Sequence, residues 1–409
     1  MDQWKKNIVL FLGSQTVSLF GSSLVQYAIM WYITLHTQSG VMMTISIICG
    51  FVPTFFLSPF AGVWADRYQR KMLIIAADLL IAVATLILAF LFLWGYEAIW
   101  LLFLMSAIRA VGTGIHTPAV GAVIPQLVPE KMLTKVNGIN GSIQAFVMLL
   151  SPVASGLLLT MASIEMIFFV DVVTAAIAIA LLLAFVKIPA HAKAMQSQAT
   201  SYFNDLMEGI RYIRNHDAIK QLFVFLAFTY FLAAPAAFLT PLQVARSFGE
   251  EVWRLTAIEI TFSIGMMAGG VLMSTWGGFA NRAHTLMLSC IIFGLCTLAL
   301  GIVPVFWLYL LFMTIVGIAM PLFSTPSTVM LQEKVDGDFM GRIFGVFGMI
   351  STSMMPLGML VFGPVADLIR IEWLLVATGA LLSLLGAAIP ASKALMEAGK
   401  PAAAESEHR

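Results

Sequence analysis

Gly62-Val-Trp-Ala-Asp66-Arg67-Tyr-Gln-Arg70-Lys71 is a short charged stretch between two long apolar runs. A carboxylate set at the positive N-terminal end of a neighbouring helix, with a guanidinium beside it, makes a pairing that forms in one conformational state and breaks in another. A plain anchor for a basic loop accounts for the cations, but not for the Gly and the Asp. A weaker copy, Gly277-Gly-Phe-Ala-Asn281-Arg282, follows a later apolar run; there Asn281 stands for the Asp and Thr285 for the second Arg, so the copy cannot make the same ion pair. The chain therefore repeats itself, with the Asp and the second Arg in one half only.

Working outward, apolar runs of membrane length lie near 8–35, 41–64, 72–94, 98–119, 136–160 and 165–187, then near 219–245, 254–276, 284–303, 305–327, 338–363 and 371–391. With 60% hydrophobic and 11% charged residues among 409, the chain carries far more apolar surface than one soluble core could hide. Twelve spans of about 20 residues absorb it. The first run is too long for a cleaved signal and lacks a small-residue cleavage site, so it reads as an uncleaved span. Of the 22 Lys and Arg, all but Arg109, Arg246, Arg254 and Arg370 fall on the side of the Lys5-Lys6 terminus, which places both termini in the cytoplasm.

The loop read after span four, from Thr117-Pro118, parallels the one after span ten, from Thr325-Pro326, with Lys135 and Gly138 matching Arg342 and Gly345. The expected fold is all-α: twelve transmembrane helices in two pseudo-symmetric six-helix bundles, 1–187 and 219–391, with a solute path between them. A linker, 188–218, carries a helix along the inner membrane surface, with Phe203, Leu206, Met207, Ile210 and Ile213 on one face. A disordered cytoplasmic tail is expected over 392–409.

Ionisable residues inside spans cost about 2.5–3.5 kcal/mol each on insertion scales and need a reason. Arg109 lies about eleven residues, or about 16 Å, into span four. Asp171 and Glu259 each lie about 8–9 Å in from the outer end of their spans, where desolvation favours proton uptake. A carboxylate reaching outer water or bonding a neighbouring helix explains Glu259 equally well, and Asp171 somewhat better. Asp78 reads as a structural partner for Arg67, Arg70 or a helix end, and His116 as an interface histidine. In span one Gln15, Ser18, Ser22 and Gln26 form a polar stripe that suits either helix-to-helix hydrogen bonds or a cavity wall. Phe55, Phe56, Met266, Met354 and Met355 are candidate linings of a deformable apolar cavity, lipid-facing filler being the alternative. Ser151-Pro152-Val-Ala-Ser155-Gly156 in span five combines a kink with small residues that let a neighbour approach. Cys49, Cys290 and Cys296 fall in apolar runs without metal-ligand spacing. No metal, cofactor or ATP-binding loop is expected, and a net charge of +1 argues against a nucleic-acid partner.

The stretch from Gly62 to Lys71 resembles the loop motif of the major facilitator superfamily, in which Asp66 and Arg70 would hold helix ends of the two bundles together when the inside is closed. Pro152 with its small neighbours is similar to the Gly-Pro motif of that superfamily's antiporters, and Arg109-Ala-Val-Gly112 to the span-four Arg motif of its proton-coupled members, although Gly112 replaces the usual Gln. More of the chain resembles the Mef macrolide efflux proteins, including Gln15-Thr-Val-Ser18, Ala76-Ala-Asp78-Leu, Gly112 through Ala119 and Ile258-Glu259-Ile. That resemblance implies a transporter in a bacterial cytoplasmic membrane, not an enzyme. It would export an amphipathic drug, a macrolide above all, in exchange for protons, and work as a monomer. A siderophore or lipid-like solute is the alternative substrate, and a non-transporting receptor the alternative class.

Overall fold

A computed structural model describes residues 3–186, 188 and 202–400; within that range nothing is described of the side chains at 3, 59, 62, 63, 66, 67, 134, 202–205 and 338. Among the described residues twelve helices are long and apolar enough to cross a membrane. In chain order the helices are α1 (Gln3–Thr37), α2 (Gly40–Arg67), α3 (Arg70–Leu93), α4 (Ile99–Leu127), α5 (Leu133–Met161), α6 (Ile164–Phe185), α7 (Tyr202–Asn215) and α8 (Asp217–Phe238). Then follow α9 (Thr240–Ser247), α10 (Val252–Trp276), α11 (Arg282–Leu300), α12 (Phe306–Lys334), α13 (Met340–Leu368), α14 (Ile371–Ala387) and α15 (Lys393–Ala398). Helices satisfy their own backbone, which is what hydrocarbon demands of a spanning chain.

The helices fall into two compact units. The first comprises Met1–Thr37, Ile45–Gln198 and Glu251–Thr256; the second comprises Gln38–Thr44, Ala199–Glu250 and Ala257–Arg409. In the first unit α1 packs on α5 and α6, and α3 on α4 and α6. Ile8, Phe11, Ile74, Val123, Leu182 and Val186 form a buried core near the Arg70 end of these helices. In the second unit α11 packs on α12 and α14, and α8 on α13 and α14. Lipid tails give helices no hydrophobic reason to associate, so close backbone approach at small residues matters more than in water. At the crossing of α10 and α12, a Cβ on Gly265 would lie 2.1 Å from the Thr314 carbonyl oxygen, and one on Gly317 would lie 2.2 Å from that of Phe262.

Two sequence expectations need correction, and a third gains detail. The stretch from Thr117 to Gln126, read as a loop, is helical and belongs to α4 despite Pro118 and Pro125. The seventh run, read as one span, is one candidate span over Asp217–Ser247, within which a single turn at Leu239 separates α8 from α9. Pro241 supplies no N–H to continue the ladder and instead begins the new helix. The tail expected to be disordered from 392 forms α15, with Leu395 and Ala398 buried and Ser392 capping its N-terminus; residues 401–409 lie outside the described ones.

The linker helix appears as α7, and it docks on α13 in the second unit. Tyr212 donates to the Asp336 carboxylate at 2.9 Å and stacks on Phe339 with ring centroids 4.6 Å apart. Met207 and Ile210, expected on one face of it, are exposed. Phe203, expected on that face, lies outside the described side chains. Also in the second unit, Asp367 at the end of α13 accepts from the backbone N–H groups of Gly40 (2.7 Å) and Val41 (2.9 Å) and from the hydroxyl of Ser39 (2.7 Å). It thereby caps the N-terminus of α2, while Arg246 donates to it at 2.8 Å.

Candidate functional site

A buried ion pair lies at the centre of the first unit. Arg109 on α4 donates through Nη1 to Asp171 Oδ2 on α6 at 2.6 Å, with side-chain exposures of 6% and 1%. Its Nη2 donates to the Ser22 carbonyl on α1 at 2.8 Å. The Thr85 hydroxyl on α3 lies 3.2 Å from both Arg109 Nη1 and Asp171 Oδ2, and the Ser22 hydroxyl donates to Asp171 Oδ1 at 3.3 Å. Four helices thus converge on one carboxylate and one guanidinium. Each charge compensates the other, and hydroxyls take the remaining hydrogen-bonding sites, the condition under which a buried pair is tolerated.

Nearer the Arg70 end of the same helices lies a second, looser cluster. The Ser18 hydroxyl on α1 donates to Asp78 Oδ1 on α3 at 3.1 Å, and His116 Nε2 on α4 stands 3.5 Å from the same oxygen. Asp78 is buried. Its described partners are therefore a serine and a histidine, while Arg70, one of the partners expected for it, is held on backbone carbonyls and Arg67 lies outside the described side chains. His116, expected as an interface residue, instead faces a carboxylate inside the unit. Of the polar stripe on α1, Ser18 and Ser22 make helix-to-helix hydrogen bonds, Gln15 is buried and Gln26 is exposed.

Glu259 is half-buried on α10 in the second unit, whereas Asp171 belongs to the first. Of the gating stretch, the side chains of Gly62, Asp66 and Arg67 lie outside the described ones. Arg70 is buried, donating to the carbonyls of Ala65 at 2.9 Å and Ala122 at 2.6 Å near the C-termini of α2 and α4. Lys71 donates to Val186 O at 2.9 Å and Leu183 O at 3.2 Å at the end of α6. Both cations sit on helix C-termini, where the dipole favours positive charge. In the copy, Asn281 caps α11 by accepting from Ala283 N at 3.0 Å and donates to Met396 O at 2.9 Å, so it ties α15 down. Arg282 there pairs with Glu333 at 2.6 Å.

Along α5, Ser151, Pro152, Ser155 and Gly156 are buried. A Cβ on Gly156 would lie 2.0 Å from the Thr256 hydroxyl, so the glycine permits that helix crossing. Phe55 is half-buried and Phe56 exposed in the first unit; Met266, Met354 and Met355 are half-buried in the second. On the first unit a cavity of about 570 Å³ is lined by Thr16, Lys135, Ile139, Ser142 and Phe146. The residues expected to line a cavity are not among those lining it. Among the described residues no group of three His, Cys, Asp or Glu could hold a metal.

A family model described as the Major Facilitator Superfamily matches residues 11–359. Macrolide efflux protein A of Streptococcus pyogenes is 30% identical over 383 residues, which are 93% of this chain and 94% of that protein. Macrolide efflux protein A of Enterococcus faecalis is 30% identical over 323 residues, covering 78% of this chain and 99% of that one. The crystal structure of the nucleoside transporter NupG is similar in fold, with a TM-score of 0.69 at 16% identity, covering 96% of this chain and 99% of that chain. Twelve spanning helices, a buried intramembrane ion pair and a match across most of the chain agree: the protein belongs to the Major Facilitator Superfamily, as a multi-pass membrane transporter with macrolide efflux proteins among its relatives.

Proposed function

We infer that this transporter exports an amphipathic macrolide-like drug in exchange for protons, as a monomer in a bacterial cytoplasmic membrane with both termini inside. The observation that carries the substrate class is the relation to Macrolide efflux protein A, which runs over 93% of the chain. In this reading Asp171 and Glu259 take up protons from outside and Arg109 sets the charge balance at Asp171. Asp66 and Arg70, with Gly62, Arg67 and Lys71 around them, close the inner side. The kink at Ser151-Pro152 and the small residues Ser155 and Gly156 support the motion of α5, and the working bundles are 1–187 and 219–391 joined by 188–218. A membrane potential of 100 mV supplies about 2.3 kcal/mol per charge moved, so one or two protons drive useful export without ATP.

The pairing of Arg109 favours a drug over a siderophore. A large anionic substrate needs cations in its path, and the charge of Arg109 is already matched by Asp171 at 2.6 Å. The deciding experiment is proton release from acid-loaded everted vesicles when a macrolide is added, against vesicles lacking the protein. Macrolide-dependent loss of the pH gradient supports antiport and substrate class together. Macrolide binding without counterflow in liposomes would replace the transporter with a receptor, and Glu259→Gln and Asp171→Asn both transporting with unchanged pH dependence would remove the coupling assignment.

A further inference from the structure

The two buried clusters of the first unit sit on the same three helices and differ in how tightly their charges are held. On α3, Thr85 of the upper cluster lies seven residues from Asp78 of the lower; on α4, Arg109 lies seven residues from His116. Both separations are about 10 Å along the axis, so the lower cluster is displaced by two helical turns toward the Arg70 end. On α1, Ser22 and Ser18 serve the upper and lower carboxylates from adjacent turns. The upper pair is closed, at 2.6 Å with a permanently charged guanidinium. The lower one is open: the imidazole stands at 3.5 Å, and its buried Nε2 makes no hydrogen bond.

We propose that Asp78 and His116 form a second proton site, which receives the coupling proton and releases it to water at the Arg70 end of the bundle. This rests on the proton-antiport reading above and names a residue pair which that reading does not use. The site holds one exchangeable proton, on the carboxylate or on the imidazole, and is then neutral. When the proton leaves for water, an aspartate and a neutral imidazole remain, with a net charge of −1. In a low-dielectric interior the neutral state is the cheaper one, so release is tied to a conformation in which water reaches the pair. A histidine is suited to this because its charge changes within the physiological range, which an arginine cannot do.

The charges around the pair are few. From α4 come His116 itself and, two turns away, Arg109; from α6 comes Asp171, which is neutralised by Arg109. From α1 the neutral Ser18 donates to Asp78 and the neutral Gln15 is buried about one turn below it, with Lys5 and Lys6 exposed at the start of that helix, and α2 brings only the Cys49 thiol between Gly40 and Trp64. Arg70 and Lys71 at the start of α3 are held on helix C-termini, and Lys135 lies at the start of α5. Of these cations Arg70 lies nearest the inner end of the pair, eight residues from Asp78 along α3, and its guanidinium is held on the Ala65 and Ala122 carbonyls; the described partners of Asp78 itself are the Ser18 hydroxyl and the His116 ring.

The test has a transport arm and a substrate-free arm. In proteoliposomes, D78N and H116Q should each lower macrolide-driven proton movement by about tenfold or more, the factor that one unit of displaced proton affinity makes, while retaining macrolide counterflow without a gradient; D78E should recover part of the coupling. In detergent, the purified D78N/H116Q protein should take up one proton fewer than wild type on titration from about pH 8 to pH 5. If wild type couples and both single variants couple equally well, the pair is not on the proton route and the antiport reading stands. If wild type moves no protons with a macrolide, the parent reading fails, and the titration alone decides whether the pair carries a proton. Uptake equal to wild type in the double variant overturns the proposal. Where the double variant does not give monodisperse protein, H116Q alone, which leaves the carboxylate in place, is compared with wild type in the transport arm.

Discussion

Arg109 and Asp171, 62 positions apart in sequence, meet at 2.6 Å in the interior of one helical unit, and both are almost fully removed from solvent. The contact joins α4 to α6 directly and reaches α1 and α3 through Ser22 and Thr85. Removing one partner strands the other. Breaking a buried pair in this way costs about 3–5 kcal/mol, whereas replacing both members is close to neutral. R109Q and D171N should therefore each lower the detergent melting temperature more than the R109Q/D171N double variant does. A double variant less stable than either single one would show that the pair holds the unit together by more than mutual compensation.

Glycines on α10 should respond with opposite signs. At Gly265 an added Cβ meets backbone, 2.1 Å from Thr314 O and 3.0 Å from Gly317 Cα, and neither can move without shifting a helix. At Gly270 nothing lies within 4 Å. G265A should destabilise by about 1–3 kcal/mol through overpacking, and G270A should stabilise by about 0.4–1 kcal/mol by restricting the unfolded chain. Thermal unfolding of the two variants side by side checks both the crossing and its register.

How far the sequence could be read follows from what each signal measures. Apolar run length measures burial in hydrocarbon, so the twelve spans were legible, and so was Arg109 as a charge with no business in an apolar run. The partner of Arg109 was not, because periodicity along α4 does not say how α6 is rotated against it. Asp78 was assigned to nearby cations by proximity in sequence, while the helix places it against Ser18 and His116 from two other helices. Hydropathy was also blind to the break at Leu239, since the residues around it stay apolar, and to α15, which is too short to show a period.

The cap on α2 yields a third outcome. Asp367 accepts two backbone N–H bonds at the start of that helix and one from Ser39, with Arg246 beside it. The carboxylate serves donors that have no partner within the helix and opposes the helix dipole. D367A should cost about 0.5–2 kcal/mol, the range for a lost cap, with D367N falling between D367A and wild type because the amide oxygen still accepts. R246A should cost less than D367A, since the backbone donors remain capped. Equal losses for D367A and R246A would place the stabilisation in the ion pair instead of the cap.

Tyr212 gives a prediction with a pH dependence. Its hydroxyl donates to Asp336 Oδ2 at 2.9 Å and lies 3.3 Å from Asp336 N, while the ring stacks between His216 and Phe339. Burial first, and then the hydrogen bond to the Asp336 carboxylate, raises the phenol above its usual titration range. A folded-state value above the unfolded one means that the protonated phenol is what the docked helix holds. The contribution is therefore fully present below about pH 10, the unfolded value, and is lost as the pH rises through the folded value. Y212F keeps the stacking and loses the hydroxyl, so it should weaken docking of α7 by about 1 kcal/mol at neutral pH and remove the alkaline loss. Hydrogen exchange of residues 206–215 in wild type and Y212F, at neutral pH and above pH 10, reads both effects. Wild-type protection that does not fall at the higher pH would mean that α7 is held by its ring stacking and by the Arg342 to Glu208 pair at 3.2 Å, with the phenol proton playing no part.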